Sequence, residues 1–293
     1  MIDPSERPSP LDNPHAERVR RVAGLAGRSA RIRSGRILVE GPQAVRELVR
    51  HRAAHLVDVY LTEEAAARYP EIDREARAVT PWVHAVSEDV ARAMSTEAQG
   101  VVAVAEADAI GGDPVSPASR APSSIVVLAQ SRDPGNAGTI IRTADAMGAR
   151  GVLVTAGSVD VRSPKVIRSS AGSVFHLPVL TGIDAAQAVD RLHGAGVRVL
   201  GTSGADGSAD LADLLAAGLG GGDPVLAGPH AWVMGNEARG LSDAQEALCD
   251  LLVRIPMTGR AESLNVASAA AICLFASQTV RAARWTVEAD PLA

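Results

Sequence analysis

The chain is short of several things at once. Of its 293 residues, 2% are aromatic, two are cysteines and a single one, Lys165, is a lysine. So few aromatics force a core of Ala, Val, Leu and Ile, and they exclude a platform of stacked rings for reading single-stranded nucleic acid. Cys249 and Cys273 lie in apolar runs without CxxC spacing, which reads as core thiols in a reducing compartment rather than a disulfide framework. The seven histidines show neither HExxH nor any Cys/His spacing, so no metal site is expected. No apolar run reads as a membrane span. The start, "MIDPSERPSPLDNPH", lacks the charged-then-apolar pattern of a secretory leader and reads as a loose tail. What remains is a globular, cytoplasmic protein, 46% hydrophobic and 22% charged, long enough for two ordinary domains.

A formal net charge of −5 excludes a wholly basic nucleic-acid binder, yet the charge is unevenly placed. From His15 to Arg52 there are ten arginines against three glutamates. That asymmetry points to a polyanionic partner for the front end, where a solvated helix face is the plainer alternative.

The Gly/Pro/Ser-rich stretch "GGDPVSPASRAPSS", 111 to 124, is the best domain boundary. Before it, "RILVEG", "HLVDVYLT", "WVHAVS" and "VVAVAE" read as strands, with "PQAVRELVRHR" and "EDVARAMS" as helices, after a basic helix and loop in "RVRRVAGLAGRSARIRSGR". That is a compact α/β domain. After it come "SIVVLAQ", "GVLVTA", "VRVLGTS", "AWVMG" and "LLVRIPM", nearly continuous apolar strands joined by helices. Such strands imply a parallel sheet covered on both faces, with ligands beyond their carboxyl ends.

The segments leaving those strand ends therefore carry the chemistry. "SRDPGNAGTIIRTADAMGA", 131 to 149, runs from a strand into a helix. Asn136 is placed to cap that helix, Ile140, Ala144 and Met147 form its core stripe, and Arg142 lies off the stripe. In "WVMGNEARGLS", Gly235 allows close backbone approach, Asn236 and Glu237 put an amide and a carboxylate at the strand end, and Ser242 caps the next helix. In "IPMTGRAESLNVASAAAICLFAS", Ser263 or Glu262 starts a helix whose first turn holds Asn265. Polar groups there bind an anion as readily as they cap. A nucleotide-dependent oxidoreductase or P-loop enzyme is unsupported, because "GTSGADG" is not GxGxxG and "DPGNAGT" has no lysine.

Three motifs in order, Asn136-x-Gly138-x-x-x-Arg142, Gly235-Asn236-Glu237-x-x-Gly240-Leu241 and Pro256-Met257 through Ser263-Leu264-Asn265-Val266-Ala267, resemble the SpoU-type (TrmH-like) RNA ribose 2′-O-methyltransferases of the SPOUT class. "SPKVIRSSAGSVFHLPV" also looks like the segment after the second strand in that family. The resemblance implies an S-adenosylmethionine (AdoMet) site in a parallel-sheet α/β domain whose stretch 231–285 forms a trefoil knot. It implies cofactor contacts at Thr202, Gly204, Met234, Gly235, Asn236, Gly240, Ile255, Met257 and Leu264. The same motifs imply a catalytic set of Arg142, Asn136, Glu237, Ser263 and Asn265, and a homodimer built on the apolar helix "LNVASAAAICLFAS". The front domain is similar to a ribosomal-protein RNA-binding fold through "ILVEGPQAVREL" and "STEAQGVVAVAE". Folded RNA gripped by arginine is then the expected substrate, ribosomal RNA ahead of transfer RNA, with Arg36, Lys165 and Arg168 as phosphate contacts.

The division expected is a flexible tail at 1–14, an RNA-binding domain at 15–108, a linker at 109–123, the methyltransferase domain at 124–285 and a tail at 286–293. The family role for Arg142 is general base. A guanidinium has a pKa above about 12 and resists deprotonation, so a charged clamp that stabilises the developing alkoxide is the competing reading. A non-catalytic RNA-binding protein of the same fold is the alternative function. Housekeeping modification and self-protection against a ribosome-directed antibiotic both stay open.

Overall fold

The computed structural model describes residues 10–115, 124–221 and 225–289. Contacts divide the chain into two compact units, Met1–Ile110 with Asp160–His176, and Gly111–Val159 with Leu177–Ala293.

The first unit opens with the basic pair α1 (Glu17–Gly24) and α2 (Arg28–Ser34). Then come β1 (Arg36–Glu40), α3 (Pro42–His51), β2 (Leu56–Thr62), α4 (Glu63–Arg68), α5 (Pro70–Val79), β3 (Val83–Val86), α6 (Glu88–Met94) and β4 (Val101–Glu106). The sheet runs β1-β4-β2-β3, antiparallel at β1–β4 and β4–β2 and parallel at β2–β3. One face is closed by Val19, Val22 and Leu25 against Val90, Ala91 and Met94, over Leu38, Tyr60, Val102 and Val104. Thr62 and Ser87 cap α4 and α6 with their hydroxyls, as short polar residues before apolar turns do. The expected tail at 1–14 is tied down at its end. Leu11 donates to Ala85 O and accepts from Ser87 N–H, both at 2.9 Å, alongside β3.

The second unit begins with β5 (Ser124–Leu128), α7 (Pro134–Ala146) and β6 (Gly151–Thr155). The next helix, α8 (Pro164–Ser169), belongs to the first unit. The second unit resumes with β7 (Val179–Ile183), α9 (Ala185–Gly194), β8 (Arg198–Thr202), β9 (Ala209–Asp210), α10 (Leu211–Leu219), β10 (His230–Met234), α11 (Asp243–Glu246), β11 (Leu251–Arg254) and α12 (Val266–Ala289). Seven parallel strands run in the order β7-β6-β5-β10-β8-β11-β9. β5, β6 and β10 are buried along their whole length. That burial is why they read as unbroken apolar runs. β7 lies at the sheet edge with most of its residues part-exposed, and β9 has two residues, so neither stood out in the sequence.

Two expectations about helices need correction. The chain does contain a helical stretch long and apolar enough to cross a membrane, Val266–Arg284 with mean hydropathy 1.4. In the structure it packs on α7, α10 and β10, burying Ala270, Cys273, Leu274, Ser277 and Val280. The same helix continues to Ala289, through part of the tail expected at 286–293.

Within the continuous stretch expected at 124–285 for the methyltransferase domain, 160–176 groups with the first unit by its contacts. There Arg31, 5% exposed, donates to Asp160 Oδ2 at 2.7 Å and to the carbonyls of Leu25 and Ala26. Arg162 donates to the carbonyls of Ala107 and Ile110, both at 3.0 Å. Arg168 pairs with the buried carboxylate of Glu40, which also accepts from Ser95 Oγ. The expected linker lies largely outside the described residues, at 116–123.

Candidate active site

Register places the strand ends of the second unit at one level. Met234 lies opposite Leu128, Val233 opposite Gly201, and Thr202 opposite Val253. The loops that leave β5, β8, β10 and β11 therefore start side by side, where parallel α/β sheets bind ligands.

The first loop begins at Gln130, whose φ of +56° is unusual for a residue with a side chain. Its carbonyl accepts from Asn236 Nδ2 at 3.0 Å. Asp133, rather than Asn136, caps α7: Oδ1 of Asp133 accepts the Asn136 N–H at 2.7 Å. The physical reason is Pro134, which holds the residue before it in an extended conformation and so makes Asp133 the cap. The side chain of Asn136 is thereby free for a longer-range partner. Asn265 Nδ2 donates to Asn136 Oδ1 at 3.0 Å.

Asn265 is itself the cap of α12, not a residue of its first turn. Its Oδ1 accepts from Ala267 N–H at 2.8 Å and from Ser268 N–H at 3.4 Å. Glu262 and Ser263 precede it, exposed and outside the helix. At the far end of α7, Arg281 Nη2 donates to Met147 O at 3.4 Å. With one bond at the starts and one near the ends, α7 and α12 run side by side in the same direction. Their N-termini meet at the strand ends.

Glu237 fastens the second motif to the first. Its Oε1 accepts from Ser131 Oγ at 2.7 Å and Asp133 N–H at 3.2 Å, and its Oε2 from Arg132 N–H at 3.2 Å. Burial opposes the charge, but these donors outweigh it and hold the carboxyl below the usual carboxylate range. Asn236 closes a tight loop with Gly240, exchanging backbone hydrogen bonds at 2.9 and 2.8 Å. Gly240 has φ +68°, and a Cβ on Gly235 would stand 2.3 Å from the Gly240 carbonyl carbon. Gly235 is thus required by the chain's own backbone, where a close approach to a ligand was expected. Ser242 caps α11 in a capping box with Gln245.

Thr202 Oγ1 donates to Val233 O at 3.0 Å, tying β8 to β10. Ser203 donates to Glu246 Oε1 at 2.6 Å and anchors the loop that carries Gly204, around which there is open space. Ile255, Met257 and Leu264 lie on the segment from β11 to α12, and Met257 and Leu264 are 45% and 39% exposed. Arg142 is exposed on α7, on the face of Thr139, and has no hydrogen-bond or ion-pair partner among the described residues. On α7 the buried set is Ala137, Gly138, Ile140, Ile141 and Ala144, and Met147 is only part-buried.

The three expected RNA contacts lie in the first unit. Arg36 is exposed and lines, with Arg18, Arg21 and Arg33, a cavity of about 670 Å³ floored by Val22, Leu25 and Val104. Lys165 is exposed on α8. The Arg168 guanidinium is held by Glu40, so a phosphate would have to compete with that pair. Sequence reasoning missed Gln130, Ser131, Ser203 and Glu246, whose partners are distant in the chain; Asp133, before a proline and three residues ahead of Asn136, carried a readable signal.

Residues 123–275 match the SpoU rRNA Methylase family, and residues 38–110 match a domain described as RNA 2′-O ribose methyltransferase substrate binding. A 23S rRNA (uridine(2479)-2′-O)-methyltransferase of Streptomyces viridochromogenes is 38% identical over 155 residues, 51% of this chain and 50% of that one. The 23S rRNA (guanosine-2′-O-)-methyltransferase RlmB of Bordetella pertussis is 32% identical over 82% of this chain and 96% of its own. The crystal structure of an AdoMet-bound rRNA methyltransferase from Sinorhizobium meliloti superposes with a TM-score of 0.75 at 27% identity, over 92% of this chain and 97% of that one. The chain belongs to the SpoU rRNA methylase family.

Proposed function

We propose that this protein transfers a methyl group from AdoMet to the ribose 2′-hydroxyl of a nucleotide in structured RNA, ribosomal RNA in particular. The observation that carries the reading is the convergence of three motifs at adjacent strand ends, joined by the Asn136–Asn265 and Glu237–Ser131 hydrogen bonds. The residues fit the cofactor: Met257 and Leu264 offer uncovered apolar surface to an adenosine beside a polar strand-end layer. Thr202, Gly204, Met234, Gly235, Asn236, Gly240 and Ile255 complete the set at the ends of β8, β10 and β11. AdoMet supplies an electrophilic methyl group on a sulfonium.

The chain's own groups supply position and charge. The N-terminus of α7 is already matched by the carboxylates of Asp133 and Glu237, whereas α12 is capped by the neutral Asn265. The positive end of α12 is therefore the place for a phosphate of the target nucleotide, with Ser263 beside it. Arg142 stays charged, clamps the nucleotide with its planar fork and stabilises the developing alkoxide; the hydroxyl proton passes to water, and the methyl donor would leave as its neutral thioether. Glu237 holds the loop that starts α7.

The protein acts in the cytoplasm as a homodimer, with the stretch 231–285 tied in a trefoil knot. Ile272 and Phe275, 40% and 56% exposed, form an uncovered apolar stripe on α12, which supports a two-fold partner there. RNA is held through Arg36 and Lys165. Calorimetry with AdoMet and mapping of ribose methylation in total RNA, with and without the gene, test the proposal. Loss of one 2′-O-methyl in ribosomal RNA is expected; AdoMet binding with an unchanged map would favour the non-catalytic alternative.

A further inference from the structure

No spacing in the sequence suggested a metal, but the fold of the first unit assembles one set of ligands. Glu47 and His51 stand one turn apart on α3, and His176 arrives at the end of the segment 160–176. Their ligand atoms all lie within 4.8 Å of one another. Glu47 Oε2 is 3.1 Å from His176 Nε2 and 3.4 Å from His51 Nε2. The two rings meet edge to face, with centroids 4.3 Å apart at 61°.

Both separations from Glu47 Oε2 suit a shared ion as well as a hydrogen bond. A tetrahedral zinc ion with bonds of about 2.0–2.1 Å has neighbouring ligand atoms about 3.3–3.4 Å apart. Hydrogen bonding alone explains a histidine on a carboxylate; it does not require two Nε2 atoms to converge on one oxygen. The other carboxylate oxygen, Oε1, is met by Gln43 Nε2 at 3.4 Å, an outer contact of the kind that orients a metal ligand. The close fit is also built into the backbone. Gly172 has φ +92°, and a Cβ there would fall 2.6 Å from the Cβ and Cγ of Glu47. Glycine at that position lets the segment close down on α3.

We propose that Glu47, His51 and His176 bind a divalent transition metal of the zinc class. Two imidazoles and one carboxylate favour zinc, nickel or cobalt over magnesium and calcium, which seek oxygen. Without metal each Nε2 donates to Glu47 Oε2; with metal each ring carries its proton on Nδ1 and turns the Nε2 lone pair to the ion. His51 is half-exposed, so water can complete the coordination. Bound there, the ion clips 160–176, the segment bearing Lys165, to α3.

The test uses untagged, full-length protein stripped with a chelator. Titration with zinc chloride should show one site of micromolar affinity, and zinc should raise Tm. Magnesium at the same concentration should do neither. His51→Asn and His176→Gln should each weaken zinc binding at least about tenfold, whereas His193→Gln, an exposed histidine elsewhere, should leave it unchanged. Because His51 is a surface residue, its variant should keep the chelator-treated Tm and decides the matter if His176→Gln misfolds. No stoichiometric binding tighter than about 100 μM, or unchanged binding in His51→Asn, would overturn the site.

Discussion

Arg142 is a residue whose chemistry can be separated from its charge. Both readings of its role need a cation or its conjugate base at the ribose hydroxyl, but they differ in what lysine would do there. Lysine has a reference pKa near 10.4, far easier to deprotonate than a guanidinium, yet it lacks the planar fork. If Arg142 is a clamp, Arg142→Lys should lose most activity at every pH while calorimetry shows AdoMet affinity within about twofold of the parent. Substantial rescue that climbs with pH would restore the general base. Glu237 is the complementary case, a carboxylate that acts on the protein's own backbone. Glu237→Gln keeps the shape but weakens charge-assisted bonds to Ser131, Arg132 and Asp133. Loss of such a bond costs about 1.5–3 kcal/mol, so turnover should fall roughly tenfold to a hundredfold. Faster amide exchange at 131–136 should accompany the loss; unchanged exchange would detach Glu237 from that loop.

At the scale of elements, α12 is held to β10 by a buried polar contact that makes the fold sensitive to acid. His230 Nδ1 lies 2.9 Å from Gly228 O, a group that can only accept, so the ring proton sits on Nδ1 and Nε2 faces Ser277 Oγ at 2.8 Å, whose one hydroxyl proton also has Cys273 O at 3.0 Å. Trp232 Nε1 donates to the same Oγ at 2.9 Å. Burial pulls the His230 pKa down from 6.5 to about 4, against the backbone bond to Gly228 and with help from nearby Arg281. The folded pKa is the lower one, so between 6.5 and 4 the unfolded chain takes up a proton that the folded chain refuses. Stability is full above pH 6.5 and falls as pH drops through that window. The loss between pH 7 and pH 5 should be about 2 kcal/mol by urea unfolding, and His230→Gln should flatten it. Parallel curves for parent and variant would remove His230 as the cause.

These elements also show what the sequence could and could not say. β5, β6, β8 and β10 were legible as apolar runs, and Asn136, Glu237 and Asn265 as polar groups at strand ends. Their meeting depends on contacts more than 100 residues apart, Ser131 with Glu237 and Asn136 with Asn265, which no local pattern encodes. Arginine counting failed in a similar way. Of the ten in the front end, Arg18, Arg31, Arg46 and Arg50 are engaged by Asp58, Asp160, Glu71 and Glu75. Arg20, Arg21, Arg28, Arg33 and Arg36 are exposed, Arg21 beside Glu17 at 3.9 Å.

For the whole molecule, the domain bounds expected at 15–108 and 124–285 imply modular division, in which a chain started near 124 keeps AdoMet binding and loses RNA. The composition of the first unit argues against so clean a cut. Residues 160–176 bury Val166, Ile167, Val174 and Phe175, and α8 lies against β1. Removing 1–110 strips that cover and leaves Asp160 without Arg31 and Arg168 without Glu40. Four apolar side chains newly exposed, at about 1.5–3 kcal/mol each, are a large fraction of a domain's stability. The shortened chain should therefore unfold well below the full-length protein, or aggregate through 160–176, even though its seven-stranded sheet is intact. Replacing Val166, Ile167 and Phe175 with polar residues in the shortened chain should restore solubility, and AdoMet calorimetry then reads its site without interference. A shortened chain with the parent's Tm and no exposed apolar surface by dye binding would show that 160–176 refolds onto its own domain, and the contiguous boundary at 124–285 would stand.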